Sequence, residues 1–125
     1  MTTTLPAKPV DRDDVRRLLE GMYLELTAEH EAAAAALAEV TRSSDRDGDD
    51  EIDAGAKTAE REHQLTVAAT LDERMGQVQR AIERLDAGGY GVCDACGQPI
   101  TAERLDAFPS ATSCVDCKRA EERRS

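Results

Sequence analysis

Four cysteines are the residues best placed to do chemistry in this chain. They stand as Cys93-x-x-Cys96 and Cys114-x-x-Cys117, with 17 residues between the pairs. A two-residue gap lets a tight turn aim two sulfurs at one ion, and two such turns supply a tetrahedral four-thiolate site of the kind that holds structural zinc. Gly97 follows the first pair and permits the backbone twist such a turn requires. An iron centre or a redox dithiol pair uses similar spacings. Zinc suits this segment best, because metal binding supplies folding free energy that about 35 residues could not draw from a core of their own. Four thiolates saturate the ion, so no position is left open for catalysis.

The second chemical feature is a run of carboxylates: Asp45, Asp47, Asp49, Asp50, Glu51 and Asp53. Read blandly, it keeps an exposed turn solvated, with Asp53 capping a following helix. The alternation of Asp45, Asp47 and Asp49 is like that of a calcium loop. However, Asp50 stands where such loops need glycine and Ala56 where they need a bidentate glutamate, leaving at most weak divalent binding. His30 and His63 stand isolated on polar stretches and read as surface residues. The sequence contains no P-loop, nucleophile elbow or dinucleotide-binding fingerprint, so an enzyme is not expected.

These features need elements to position them. Residues 1–10 carry two prolines without periodicity and read as a loose tail. From Asp11, a plausible N-cap, apolar residues recur at Val15, Leu18, Leu19, Met22, Leu26, Ala33, Leu37 and Val40, in helical steps. The helix from Asp11 to Thr41 would reach about 46 Å. Residues 43–55 form an acidic turn. A second helical stripe follows from Ala54 to Ala87 with Leu65, Ala68, Leu71, Met75, Val78, Ile82 and Leu85, and Gly88-Gly89 stops it. Two helices of similar length joined by a short turn fold back as an antiparallel pair. The expected organisation is a tail (1–10), a coiled-coil hairpin (11–87) and a zinc module (88–125) closed by a polar helix from Lys118. The fold class is mainly α.

Composition agrees. The 125 residues include 16 Lys and Arg against 26 Asp and Glu, a net charge of −10, and three aromatics in all. So few aromatics cannot fill a large core, whereas long solvated helices need only a narrow seam. The acidity argues against direct DNA binding, which relies on cations to neutralise phosphates. No apolar run reaches the roughly 20 residues of a membrane span. The N-terminus lacks the pattern of a secretory signal, which with reduced cysteines points to the cytoplasm.

The stretch from Tyr90-Gly-Val-Cys93-Asp-Ala-Cys96-Gly97, through Arg104-Leu105 and Phe108-Pro109, to Cys114-Val-Asp-Cys117-Lys118 resembles the zinc finger of the DksA/TraR family of bacterial RNA polymerase-binding transcription factors. The family's tip motif, Asp-x-x-Asp-x-Ala, lies forty residues before the first zinc cysteine. Here Asp50-Glu-Ile-Asp53-Ala-Gly55 occupies that place, with Gly55 replacing the alanine. The resemblance implies a structural zinc ion and insertion of the hairpin into the polymerase secondary channel. It also implies Asp50 and Asp53 as tip carboxylates near the catalytic centre. The zinc module and C-terminal helix, with Arg104 and Lys118 as candidate contacts, would meet the channel rim or a nucleotide. Family members that respond to guanosine tetraphosphate carry basic residues at the positions of Gln77, Phe108 and Lys118. Only Lys118 is basic here, so a strong nucleotide response is not expected. The alternative is an adaptor that binds a different protein through its seam or terminal helix.

Overall fold

The computed structural model describes residues 11–46 and 51–124. The expected N-terminal tail and the tip residues Asp47, Asp49 and Asp50 lie outside them. Among the described residues four helices follow in order: α1 (Arg12–Arg46), α2 (Glu51–Asp86), α3 (Ala102–Ala107) and α4 (Val115–Arg124). The chain is mainly helical, and two long helices pack together as the hydrophobic steps require.

Asp11 caps α1, accepting from the backbone N–H of Asp13 at 2.9 Å and of Asp14 at 3.4 Å. Asp13 and Asp14 add negative charge at the positive end of the helix dipole. α1 runs past the expected end at Thr41 to Arg46. Thr41 Oγ1 bonds back to the Leu37 carbonyl at 3.0 Å, so its hydroxyl joins the helix instead of breaking it. α2 begins at Glu51, three residues before the expected Ala54. Asp53 is therefore in the first turn of α2 and is not its cap. At the other end, Gly88 takes φ +83°, its N–H bonds to the Leu85 carbonyl at 3.2 Å, and Gly89 N–H reaches the Arg84 carbonyl at 2.8 Å. This is a Schellman stop, which needs a residue at ease in the left-handed region.

The molecule divides into two compact units. One combines the described residues up to Tyr23 with those from Gly76 onward. Here Arg12 donates to the Leu85 carbonyl at 3.0 Å and Arg16 pairs with Asp86, which sets the start of α1 against the end of α2. Leu19, Val78, Ala81, Leu85, Cys93, Ile100 and Ala111 are buried in this unit. In the second unit, Leu24–Met75, Ala33 and Leu71 are the buried hydrophobic residues among those described. Its helices run antiparallel: His30 Nε2 lies 3.1 Å from an Asp72 oxygen, and Lys57 Nζ donates to the Ser43 carbonyl at 3.3 Å. His30, expected to be an isolated surface residue, is thus half of a cross-helix pair.

The stripes are narrower than the sequence implies. Leu19 is fully buried, while Leu18 and Leu65 are about half exposed. Each lies one step off a seam on which residues such as Leu71, Val78 and Leu85 repeat at seven-residue intervals.

Candidate metal centre

The zinc module builds its site from two short turns. In the first, Val92 and Pro99 form an isolated antiparallel bridge, and Cys93 N–H bonds to the Gln98 carbonyl at 2.8 Å. The chain reverses between them: Gly97 takes φ +77° and its N–H returns to the Cys93 carbonyl at 3.0 Å. The second turn is the start of α4. The helix begins at Val115, earlier than the Lys118 expected, so Cys117 lies in its first turn. Ala95 N–H points at Cys93 Sγ (3.4 Å) and Cys117 N–H at Cys114 Sγ (3.5 Å), placing backbone dipoles where thiolate charge would sit.

The four sulfurs of Cys93, Cys96, Cys114 and Cys117 lie within 4.8 Å of one another. Cys96 and Cys114 Sγ are 3.8 Å apart, and Zn–S bonds of about 2.3 Å in a tetrahedron put sulfurs about 3.8 Å apart. Protonation behaviour points the same way. Burial alone would raise the Cys93 thiol, but N–H groups of Cys114, Cys96 and Ala95 outweigh it and bring the pKa down to about 6. Cys117 is pushed up to about 12, because it shares hydrogen bonds with Cys114, Cys93 and Cys96. Clustered thiols cannot all ionise against one another, and a divalent cation among them removes that conflict. The donor set fits a structural Zn²⁺, with no position left for substrate.

A hydrogen-bond network joins this site to α2. Gln77 Nε2 donates to the Ser110 carbonyl at 2.8 Å and lies 3.0 Å from Thr112 Oγ1, while Arg80 donates to Gln77 Oε1 at 2.7 Å. Thr112 is buried, and its carbonyl accepts from Asp94 N–H at 2.8 Å, beside Cys93. Tyr90 Oη donates to the Pro109 carbonyl at 2.7 Å, and Arg84 Nη2 to the Val92 carbonyl at 2.9 Å. Thr101 caps α3, accepting from Arg104 N–H. The sequence reading missed α3 and this network. Thr101 ahead of Glu103 was the available signal for α3; long-range amide bonds such as Gln77's leave no local one.

Arg104, a candidate contact residue, is turned inward: its Nε donates to the Ser113 carbonyl at 2.9 Å and its guanidinium lies over Phe108, 5.7 Å from the ring centre. Lys118 is exposed and 3.7 Å from Glu121. Gln77 and Lys118 share the wall of a cleft of about 430 Å³, whose lining does not include Phe108. The tip positions Asp53 and Gly55 are exposed at the start of α2, and a side chain at Gly55 would meet nothing within 4 Å. Asp50 lies outside the described residues. No described helix is long and apolar enough to cross a membrane.

Comparison with known proteins agrees with this geometry. The family profile for the prokaryotic dksA/traR C4-type zinc finger matches residues 88–123. The structure of transcription factor DksA2 from Pseudomonas aeruginosa superposes with a TM-score of 0.74 at 31% identity, covering 90% of this chain and 84% of that one. An RNA polymerase-binding transcription factor DksA from Haemophilus influenzae is 38% identical over 63 residues, 49% of this chain and 43% of its own. General stress protein 16O of Bacillus subtilis is 32% identical over 97 residues, 78% of this chain and 60% of its own. The chain thus spans about half the length of these two curated relatives. The four clustered cysteines, the two long helices and a likeness extending over nine-tenths of the chain agree: this chain belongs to the DksA/TraR family of C4-type zinc-finger proteins.

Proposed function

We propose that this protein is a transcription regulator that binds bacterial RNA polymerase and has no catalytic activity of its own. The observation that carries the reading is the likeness to DksA2 over 90% of the chain, hairpin and zinc module together. A likeness confined to the finger would support only a shared metal site.

In this reading the hairpin enters the secondary channel and brings Asp50 and Asp53 near the catalytic centre. A carboxylate in a confined, water-poor channel acts on nearby charge more strongly than in bulk water. Cys93, Cys96, Cys114 and Cys117 hold the zinc ion, which fixes the root of the hairpin. The chain's acidity suits a channel with basic walls and disfavours DNA as the partner.

Guanosine tetraphosphate has little part in this account. Of the three positions, Gln77 is committed to Ser110 and Thr112, Phe108 is apolar, and Lys118 alone is a cation. The nucleotide should change the protein's effect on transcription by less than about twofold.

Equilibrium binding of the zinc-loaded protein to core polymerase from its own host tests the reading. Saturable binding, competed by another occupant of the secondary channel, is the expected result. Absence of binding at tens of micromolar would sink it.

A further inference from the structure

The first cysteine turn is held to the end of α2 at Val92, the residue immediately before Cys93. Both backbone polar groups of Val92 are taken. Its N–H donates to the Gly89 carbonyl at 3.2 Å, and its carbonyl accepts from Arg84 Nη2 at 2.9 Å. Arg84 lies in the last turn of α2, and Gly89 is the third residue past its end.

The two glycines that stop α2 serve different ends. Gly88 needs its φ of +83°, and a Cβ there would meet nothing within 4 Å. Gly89 is not among the described glycines with positive φ, so alanine suits its backbone. Yet a Cβ at Gly89 would lie 3.0 Å from Arg84 Cζ, 3.1 Å from Nη2 and 3.3 Å from Nε. These distances are shorter than ordinary contact, so glycine is what leaves the guanidinium its seat. Arg84 Nε is buried with no hydrogen-bond partner among the described residues. A buried N–H without an acceptor is costly. A cation that only complemented the helix dipole could do so from solvent and avoid that cost. The bond to Val92 accounts for where this side chain lies.

We propose that Arg84, seated on Gly89, is a positioning residue that couples the zinc site to the last turn of α2. Its bond fixes the residue before Cys93, so metal loading and the folded helix end favour each other. Such coupling is reciprocal: the helix end strengthens zinc binding by the factor with which zinc strengthens the helix end. It holds whatever the hairpin binds.

The test uses the full-length protein, zinc itself and two variants. Arg84→Met keeps an unbranched, helix-favouring side chain and removes the guanidinium. Gly89→Ala keeps the cation at the helix end and takes away its seat. Each should raise the zinc dissociation constant about tenfold, in competition with a chromophoric chelator, because a charge-assisted hydrogen bond is lost. The double variant should lie within about twofold of either single one, because both act on one contact. Removing zinc should speed amide exchange at 83–87 about tenfold in the wild type and less than about threefold in each variant. Wild-type zinc affinity in either variant overturns the proposal. So does an Arg84→Met protein whose amides at 83–87 exchange faster by the same factor with and without zinc, since that is ordinary support of a helix end. Effects that multiply in the double variant overturn the shared seat.

Discussion

At the scale of single residues, the zinc module depends on a few groups with defined partners. Cys114→Ser removes a sulfur that lies 3.8 Å from Cys96 Sγ and takes the Cys117 N–H. The expected outcome is loss of stoichiometric zinc, read by metal analysis, and early melting of the module. Tyr90→Phe removes the 2.7 Å bond to the Pro109 carbonyl and should cost about 1 kcal/mol in urea melts at neutral pH. Burial first, then the charge of Asp106, raises the Tyr90 pKa above its ordinary 10.0. The neutral phenol is thus favoured in the folded state. That contribution is fully present below pH 10 and drains away as pH rises toward and through the raised value. The phenylalanine variant should lack this part of the alkaline decline, and an identical decline in both proteins would contradict it.

At the scale of elements, the seam makes a sharper prediction. Leu19 is fully buried and Leu18 is 51% exposed, although they are neighbours of the same type. Leu19→Ala should cost about 2–5 kcal/mol and Leu18→Ala less than about 1. Equal costs in denaturant melts would mean that the seam runs on a different face. The sequence carried the existence of both helices, because their apolar steps and the Gly88 stop are local signals. It placed their inner ends poorly. Ser43, Ser44, Asp45 and Arg46 read as turn residues by composition, yet backbone hydrogen bonding carries α1 through Arg46. Propensity is a weak prior beside a helix already under way. The His30–Asp72 pair was invisible for another reason: it depends on the register between two helices 42 positions apart, which neither stripe specifies to one residue. The cysteine site was legible because its geometry is written in spacing, whereas Gln77's bonds to the loop, more than thirty positions away, were not.

At the scale of the whole molecule, burial is uneven. Most of the buried hydrophobic residues belong to the unit that contains the cysteines, and the Leu24–Met75 unit has Ala33 and Leu71. Within the first unit the module from Gly88 onward has Cys93, Ile100 and Ala111 as its buried hydrophobic residues, too few to hold it alone, so zinc binding carries much of the module's stability and metal-linked folding disappears when the ion is removed. Chelation should lower the melting temperature and release the module's amides to exchange, with recovery on adding zinc back. The net charge of −10 sets the long-range behaviour: association with a basic-walled partner should weaken as salt rises.

The central claim is that this hairpin carries a carboxylate into RNA polymerase. Asp53→Asn tests it most directly, because asparagine keeps the size of the side chain and removes its charge. Asp53 is exposed in the first turn of α2, so the exchange should cost less than about 1 kcal/mol of stability. Wild type and variant would be compared in one experiment that reads both binding to the host's polymerase and the lifetime of promoter complexes. The account predicts equal binding, with the effect on promoter complexes lost in the variant. A variant that binds and acts like wild type would contradict it.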